Sequence, residues 1–215
     1  MVKVKVCGIT NLEDALACLF LGAHALGFVF YKKSPRYISP GAAGNIAKIL
    51  PKKIKRVGVF VNQSVPSVKR IAKLCNLDML QFHGSETPEY CQKFVGYKVI
   101  KAFRVSKKED LSAISKHKVF AYLFDSFSNN KLGGTGNKFN WKILAQSGRI
   151  EPVNLSHGEN KKPVVFLSGG LTPGNVAGAI KLLKPDWVDA SSGLEIKPGK
   201  KDHKKIEKFI QESLK

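Results

Sequence analysis

The sequence predicts an α/β protein of the (β/α)8, or TIM-barrel, class, folded as a single domain over residues 1–215. Three observations predict it. Short apolar runs alternate eight times with helix-like stretches, β always before α. Successive strand starts are mostly about 20–30 residues apart, the length of a strand plus a crossover helix. The chain has 215 residues, 43% of them hydrophobic, enough for eight such units around one core. That places it near the small end of the ~200–400 residue range of such barrels. An open doubly wound sheet would be expected to carry a G-x-G-x-x-G turn after its first strand. Here that turn reads Cys7-Gly8-Ile9-Thr10.

The elements follow in order. The first strand, over 2–7, alternates Val2, Val4 and Val6 with Lys3, Lys5 and Cys7. Period two sends the valines outward against helices and the lysines inward, with Cys7 at the top. A helix over 12–21 follows Thr10-x-x-Glu13, the spacing of a capping box. A strand over 25–30 precedes a helix over 40–50, which opens with Ser39 as cap and Pro40 at the first helical position. Next come a strand over 56–61 with a helix over 66–75, and a strand over 78–82 with a helix over 88–94 behind Thr87. The remaining strands read 98–104, 119–125, 164–168 and 187–190. Their helices read 108–116, 141–146, 173–183 behind Thr172, and 203–214. Most of the strands are apolar enough to be buried on both faces of a parallel sheet. The interval between the sixth and seventh strands is the longest. Its first part, 126–136, is polar and Gly-rich at a strand C-terminus, which makes it a candidate lid. Its last part, 156–162, reads as a return loop without chemistry.

Composition excludes several classes. No apolar run approaches the ~18–20 residues of a membrane span, and the N-terminus lacks a signal-peptide core. A cytoplasmic protein is expected, without membrane association. Lys and Arg number 36 against 16 Asp and Glu, a formal net charge of +20. Such a field attracts anions, but 31 of the cations are Lys and only 5 are Arg. Readout of bases favours the arginine fork, and the lysines are scattered, so no nucleic-acid partner is expected. Cys7, Cys18, Cys75 and Cys91 show no zinc-ligand spacing, and no metal is expected. The last three read as small core residues.

Chemistry concentrates at strand ends. A lysine near Cys7 would favour its thiolate and lower its pKa, making Cys7 a base or nucleophile; the plain alternative is a small residue before a Gly turn. Asp125 closes the sixth strand, placed to be a general acid under a lid or merely a loop cap. Gly169 and Gly170 follow the seventh strand; Asp189 lies in the eighth, with Ser191, Ser192 and Gly193 after it. In many barrels these two loops bind phosphate through converging backbone N–H groups. Gln81 and His83 share a parity that faces both into the barrel. Arg36 could clamp a carboxylate, although on spacing alone a solvated surface arginine is the better reading. His24, His117, His157 and His203 have no partner recognisable from sequence.

Taken together, the motifs resemble one family. They are Lys5-Val6-Cys7-Gly8-Ile9-Thr10, Gly27-Phe28-Val29-Phe30, Ser34-Pro35-Arg36-Tyr37-Ile38, Val57-Gly58-Val59-Phe60-Val61-Asn62 and Leu80-Gln81-Phe82-His83-Gly84. They continue through Phe124-Asp125-Ser126, Gly133-Gly134-Thr135-Gly136, Leu167-Ser168-Gly169-Gly170-Leu171 and Asp189-Ala190-Ser191-Ser192-Gly193-Leu194-Glu195 to Pro198-Gly199-Lys200-Lys201-Asp202. In order and position they resemble the phosphoribosylanthranilate isomerases of tryptophan biosynthesis over nearly the whole chain. The resemblance implies an Amadori rearrangement without a cofactor, with Cys7 as general base and Asp125 as general acid. It implies Arg36 on the anthranilate carboxylate and Gly169, Gly170, Ser191, Ser192 and Gly193 around the phosphate. It adds Gln81, His83 and Asp189 as further substrate contacts. The partner implied is a small phosphorylated substrate, with the chain a monomer or homodimer. A histidine-pathway aminoaldose isomerase would resemble a paired-aspartate design, against which Cys7 argues. A basic nucleic-acid-binding barrel would need a contiguous lysine face with aromatic platforms.

Overall fold

The computed structural model describes residues 1–105, 114, 116–126 and 163–215. The helices expected over 108–116 and 141–146 and the loops expected over 126–136 and 156–162 lie almost wholly outside the described residues.

Eight parallel strands close into a barrel: β1 (Lys3–Cys7), β2 (Ala25–Val29), β3 (Lys55–Phe60), β4 (Met79–Phe82), β5 (Lys98–Val105), β6 (Ala121–Ser126), β7 (Val164–Leu167) and β8 (Trp187–Ala190). β1 pairs with β2 on one side and β8 on the other, so the barrel leaves no strand edge open. The TIM barrel expected from the sequence is the fold observed. Outside it lie α1 (Leu12–Phe20), α2 (Pro40–Ile49), α3 (Val65–Leu74), α4 (Pro88–Gln92), α5 (Val176–Leu183) and α6 (His203–Ser213). A short hairpin, β9 (Glu195–Lys197) with β10 (Lys200–Lys201), was not expected. No helix among the described residues is long and apolar enough to cross a membrane.

Two helix starts follow the expected chemistry, while Ser64 precedes α3 without a side-chain cap bond. Ser39 accepts from the Ala42 N–H and Thr87 from the Tyr90 N–H, each with proline next in the chain. Two differ. At α1 the cap is Asn11, which accepts from the Asp14 N–H at 2.8 Å. Thr10 instead donates its hydroxyl to the Gly199 carbonyl, tying the β1 turn to the hairpin. α5 begins at Val176, not 173, because Asn175 accepts from the Thr172 N–H and donates to the Gly170 carbonyl, holding 170–175 as a turn.

Strand parity sorts the core into two layers. Val4, Val6, Leu26, Phe28, Phe60, Leu80 and Phe82 face outward into the shell between strands and helices. Ala25, Val57, Met79, Ile100, Ala102, Ala121, Leu123, Phe166 and Trp187 fill the barrel interior. Phe166 and Trp187 stack there with centroids 4.9 Å apart. Above that apolar floor the inward positions turn polar: Lys5 and Cys7 on β1, Gln81 on β4, Asp125 on β6 and Asp189 on β8. The same parity that packs the floor therefore delivers reactive groups to the mouth.

Candidate active site

Lys5 and Asp189 are Cα partners across the β1–β8 seam. Lys5 Nζ, wholly buried, donates to Asp189 Oδ1 at 2.9 Å. Cys7 is the next inward residue of β1, and the charge of the same ammonium acts on its thiol. The sequence reading expected a lowered thiol pKa, and the structure corrects it. Burial pushes the Cys7 thiol above its ordinary value; Lys5 and Lys201 oppose the rise and Asp189 adds to it. Charging sulfur in a dry interior costs more than a cation already shared with a carboxylate returns. Lys5 keeps its charge, because Asp189 and Cys7 outweigh the burial that would otherwise lower its pKa.

Across the mouth a second set is linked through hydrogen bonds. Gln81 Nε2 lies 3.1 Å from His83 Nδ1, and His83 Nε2 lies 3.0 Å from Asp125 Oδ2. Gln81 and Asp125 are buried and His83 nearly so.

Arg36 is buried, not the solvated surface residue that its spacing suggested. Its Nε and Nη2 donate in parallel to Glu195 Oε1 and Oε2 at 2.8 and 2.7 Å. Two of its five N–H groups are thus committed, and the other three have no acceptor among the described residues. Burial alone would raise the Glu195 pKa, but the Arg36 and Lys201 contacts hold it below the usual carboxylate value. Lys201, also buried, donates to Glu195 Oε1 at 2.9 Å, the Cys7 carbonyl at 2.6 Å and the Ser191 carbonyl at 3.3 Å. One ammonium thus fastens both turns that flank the Lys5–Asp189 seam. A Cβ on Gly8 would lie 2.7 Å from Arg36 Cδ, so the tight turn after Cys7 needs glycine.

After β7, Gly169 and Gly170 have φ of +87° and +68° in succession. After β8, a Cβ on Gly193 would run into the Leu171 carbonyl oxygen. The two loops therefore press together at the mouth. The Ser191 hydroxyl is buried there with no hydrogen-bond partner among the described residues. An unpaired buried hydroxyl costs roughly 1–3 kcal/mol, a debt that an anionic oxygen in the cradle would cancel.

All eleven residues singled out from the sequence line one cavity at the C-terminal ends of the strands: Cys7, Arg36, Gln81, His83, Asp125, Gly169, Gly170, Asp189, Ser191, Ser192 and Gly193. Val29, Tyr31, Val59 and Val61 give it an apolar wall on the β2–β3 side, next to Arg36.

The family model described as N-(5'-phosphoribosyl)anthranilate (PRA) isomerase matches residues 4–212. The N-(5'-phosphoribosyl)anthranilate isomerase of Geobacter sp. strain M21 is 46% identical over 215 residues, covering 100% of this chain and 99% of its own length. The chain belongs to the N-(5'-phosphoribosyl)anthranilate isomerase family. It is an isomerase. The crystal structure of the family member from Thermotoga maritima matches at a TM-score of 0.89 and 41% identity, covering 100% of this chain and 99% of that one. A further solved family member, in complex with reduced 1-(o-carboxyphenylamino)-1-deoxyribulose 5-phosphate, matches at 0.83 and 40%, covering 100% and 99%.

The sequence reading assigned no role to Glu195 or Lys201, although both stand in motifs that mark the family. Their partners lie 159 and 194 positions away along the chain, beyond the reach of spacing arguments. His203 and His24 also have partners that the sequence hid: His203 Nε2 meets Asp14 Oδ1 at 2.9 Å, and His24 Nδ1 accepts from the Val4 N–H. Arg104, passed over entirely, is the Cα partner of Asp125 on β5, with its Nη2 buried and without a hydrogen-bond partner among the described residues. Strand parity was the available signal for it.

Proposed function

We propose that the chain converts N-(5'-phosphoribosyl)anthranilate to 1-(2-carboxyphenylamino)-1-deoxyribulose 5-phosphate, an Amadori rearrangement in tryptophan biosynthesis, with Cys7 as general base and Asp125 as general acid. The observation that carries this reading is the sharing of one cavity by Cys7, Asp125 and the paired Gly/Ser loops. A phosphate seated against Gly169, Gly170, Ser191, Ser192 and Gly193 would set the ribose between the thiol and the carboxyl. The ligand named for one solved relative has the same three parts: a phosphate, a five-carbon chain and a carboxyphenylamino group.

The steps balance as follows. Asp125 gives a proton to the furanose ring oxygen as the C1'–O bond breaks, and the nitrogen lone pair forms an iminium at C1'. Cys7, as thiolate, removes the C2' proton, and the C2'–H electrons move into the C1'–C2' bond as the iminium is neutralised. The resulting enolamine gains a proton at C1' and loses one from its 2'-hydroxyl to give the aminoketone. The iminium is the electron sink, so no cofactor is called for. Burial makes the thiol resist ionisation, but the iminium would place a new cation beside it when thiolate is needed. Lys5 and Asp189 hold the charges beneath it. The open N–H groups of Arg36 would take the anthranilate carboxylate, with the ring against Val29, Tyr31, Val59 and Val61. A net charge of +20 would gather this dianionic-to-trianionic substrate at low salt. We place the reaction in the cytoplasm, as one protomer or a homodimer; a solved relative is described as dimeric.

The test follows the fluorescence of the enzymatically made substrate. Cys7→Ala and Asp125→Asn should each lower kcat by roughly 10²–10⁴-fold with the fold retained. Losses under tenfold for either would remove that residue from its role.

A further inference from the structure

The cavity holds one buried polar atom that the proposed mechanism leaves unused. Gln81 is 1% exposed, yet its Oε1 has no hydrogen-bond partner among the described residues. Its other end is engaged, with Nε2 3.1 Å from His83 Nδ1. The two ends of a carboxamide differ only in hydrogen bonding. Reversing the amide would bury two N–H groups where Oε1 now stands, and an orphaned carbonyl is the cheaper defect. A carboxamide that points N–H at a ring nitrogen requires a lone pair on that nitrogen. His83 Nδ1 is therefore the acceptor, and its proton resides on Nε2. Nε2 in turn faces Asp125 Oδ2 at 3.0 Å.

We infer that Gln81 is a positioning residue that holds His83 in the neutral Nε2–H tautomer, so that His83 donates to Asp125 Oδ2 and stabilises the carboxylate left when Asp125 gives up its proton. This rests on the acid role proposed for Asp125. His83 engages Asp125 through Oδ2. As the Asp125 proton moves to the ring oxygen, negative charge grows on the carboxylate, and the fixed N–H shortens onto it without reorganisation. The other tautomer would turn a lone pair toward the new charge. Gln81 never touches the reacting atoms in this scheme; it acts through His83.

The test is the state of the His83 ring, read by nitrogen NMR on 15N-histidine protein at mildly alkaline pH, where an ordinary imidazole is neutral. Each variant is run beside its kinetics. Assignment uses His83→Asn, which removes the signals. In the parent protein Nε2 should carry the proton and Nδ1 the lone pair. Gln81→Met keeps the length without the donor and should give a tautomer mixture. Gln81→Glu offers an acceptor instead, and should move the proton to Nδ1 and lower kcat on the order of 10²-fold. KM should change several-fold at most. A parent spectrum showing Nδ1–H or imidazolium overturns the inference, as does a Gln81→Met protein with unchanged spectrum and kcat. The spectrum does not depend on turnover. If Asp125→Asn stays active while the tautomer is as stated, the acid assignment is what fails.

Discussion

Consider Lys5→Met, which removes the ammonium under Cys7 and keeps most of its volume. The change has two consequences that can be separated. It strands Asp189, which is 4% exposed and accepts from Lys5 at 2.9 Å. Breaking a buried pair from one side costs about 3–5 kcal/mol. It also deletes the larger of the two charges that oppose burial at the Cys7 sulfur, Lys201 being the other. Two hydrogen-bonded charges about 4 Å apart interact by about 4 kcal/mol at an effective dielectric near 20. Halving that for water entering the vacated space leaves about 2 kcal/mol, or about 30-fold in thiolate population. The double variant Lys5→Met/Asp189→Asn relieves the stranded charge and isolates the second effect. Asp189→Asn alone removes a carboxylate that raises the thiol and should make the thiolate more abundant. The order of Cys7 alkylation rates by iodoacetamide at neutral pH is therefore Asp189→Asn, then parent, then Lys5→Met. Mass spectrometry locates the label among the four thiols. The double variant should unfold near the parent temperature, and its kcat should follow its thiolate, not its stability. If all four proteins alkylate within threefold of one another, the electrostatic argument for Cys7 is wrong.

Three further outcomes follow. A Cβ on Gly27 would stand 2.7 Å from Cys7 Sγ, so Gly27→Ala should displace the sulfur and lower kcat at least tenfold while leaving KM nearly unchanged, in steady-state assays. Glu195→Gln halves the clamp on Arg36 and weakens the Lys201 contact, and should raise KM about tenfold or more with a smaller change in kcat, since the carboxylate-binding group loses its orientation. Burial pushes the thiols of Cys18 and Cys91 up to about 12 and that of Cys75 to about 11. The unfolded chain loses these protons first, near the ordinary thiol value of ~8.5. Their contribution is fully present below that pH and is lost as pH rises toward 11–12. Denaturant midpoints should therefore fall steadily above about pH 9, and Cys18→Ala should flatten that fall.

The barrel was legible because its signals are local. Cap-then-proline pairs marked Pro40 and Pro88, and alternation marked β1, all within a few residues of one another. Every predicted site residue reached the same cavity for a related reason. A strand end has a fixed place on the rim, so a list of strand ends is already a map of the mouth. What failed was collective. The Cys7 thiol was misjudged because a neighbour's charge can be read from sequence but the dryness around it cannot. Thr10 was misread as a cap because its hydroxyl is claimed by Gly199, 189 residues away. Arg36 looked like a surface residue until Glu195 buried it.

The distribution of buried charge separates the two ends of the barrel by purpose. Below Lys5 the interior is filled by Phe166, Trp187, Met79 and their apolar neighbours. From Lys5 upward, among the described residues, lie three ionic groups buried on every side: Lys5–Asp189, Arg36–Glu195–Lys201 and Lys101–Glu86, whereas at the other end Arg56 pairs with the half-buried Asp78. Glu86 accepts from the Asn62 and Gly84 N–H groups as well, holding the loops after β3 and β4. Replacing such a group whole by apolar side chains of equal volume is often neutral or stabilising by about 1–4 kcal/mol. Stability alone would therefore favour apolar packing at all three places. Each group instead sits beneath or beside a residue of the cavity: Cys7, Arg36 with Ser191, and His83 through Gly84. A stability explanation predicts that swapping the Lys101–Glu86 pair for Met and Leu leaves turnover alone. The placement predicts the reverse: kcat falls by more than any loss of heat resistance accounts for, because the β4 loop no longer holds His83 against Asp125. Thermal unfolding and kcat measured on that one double variant decide between them.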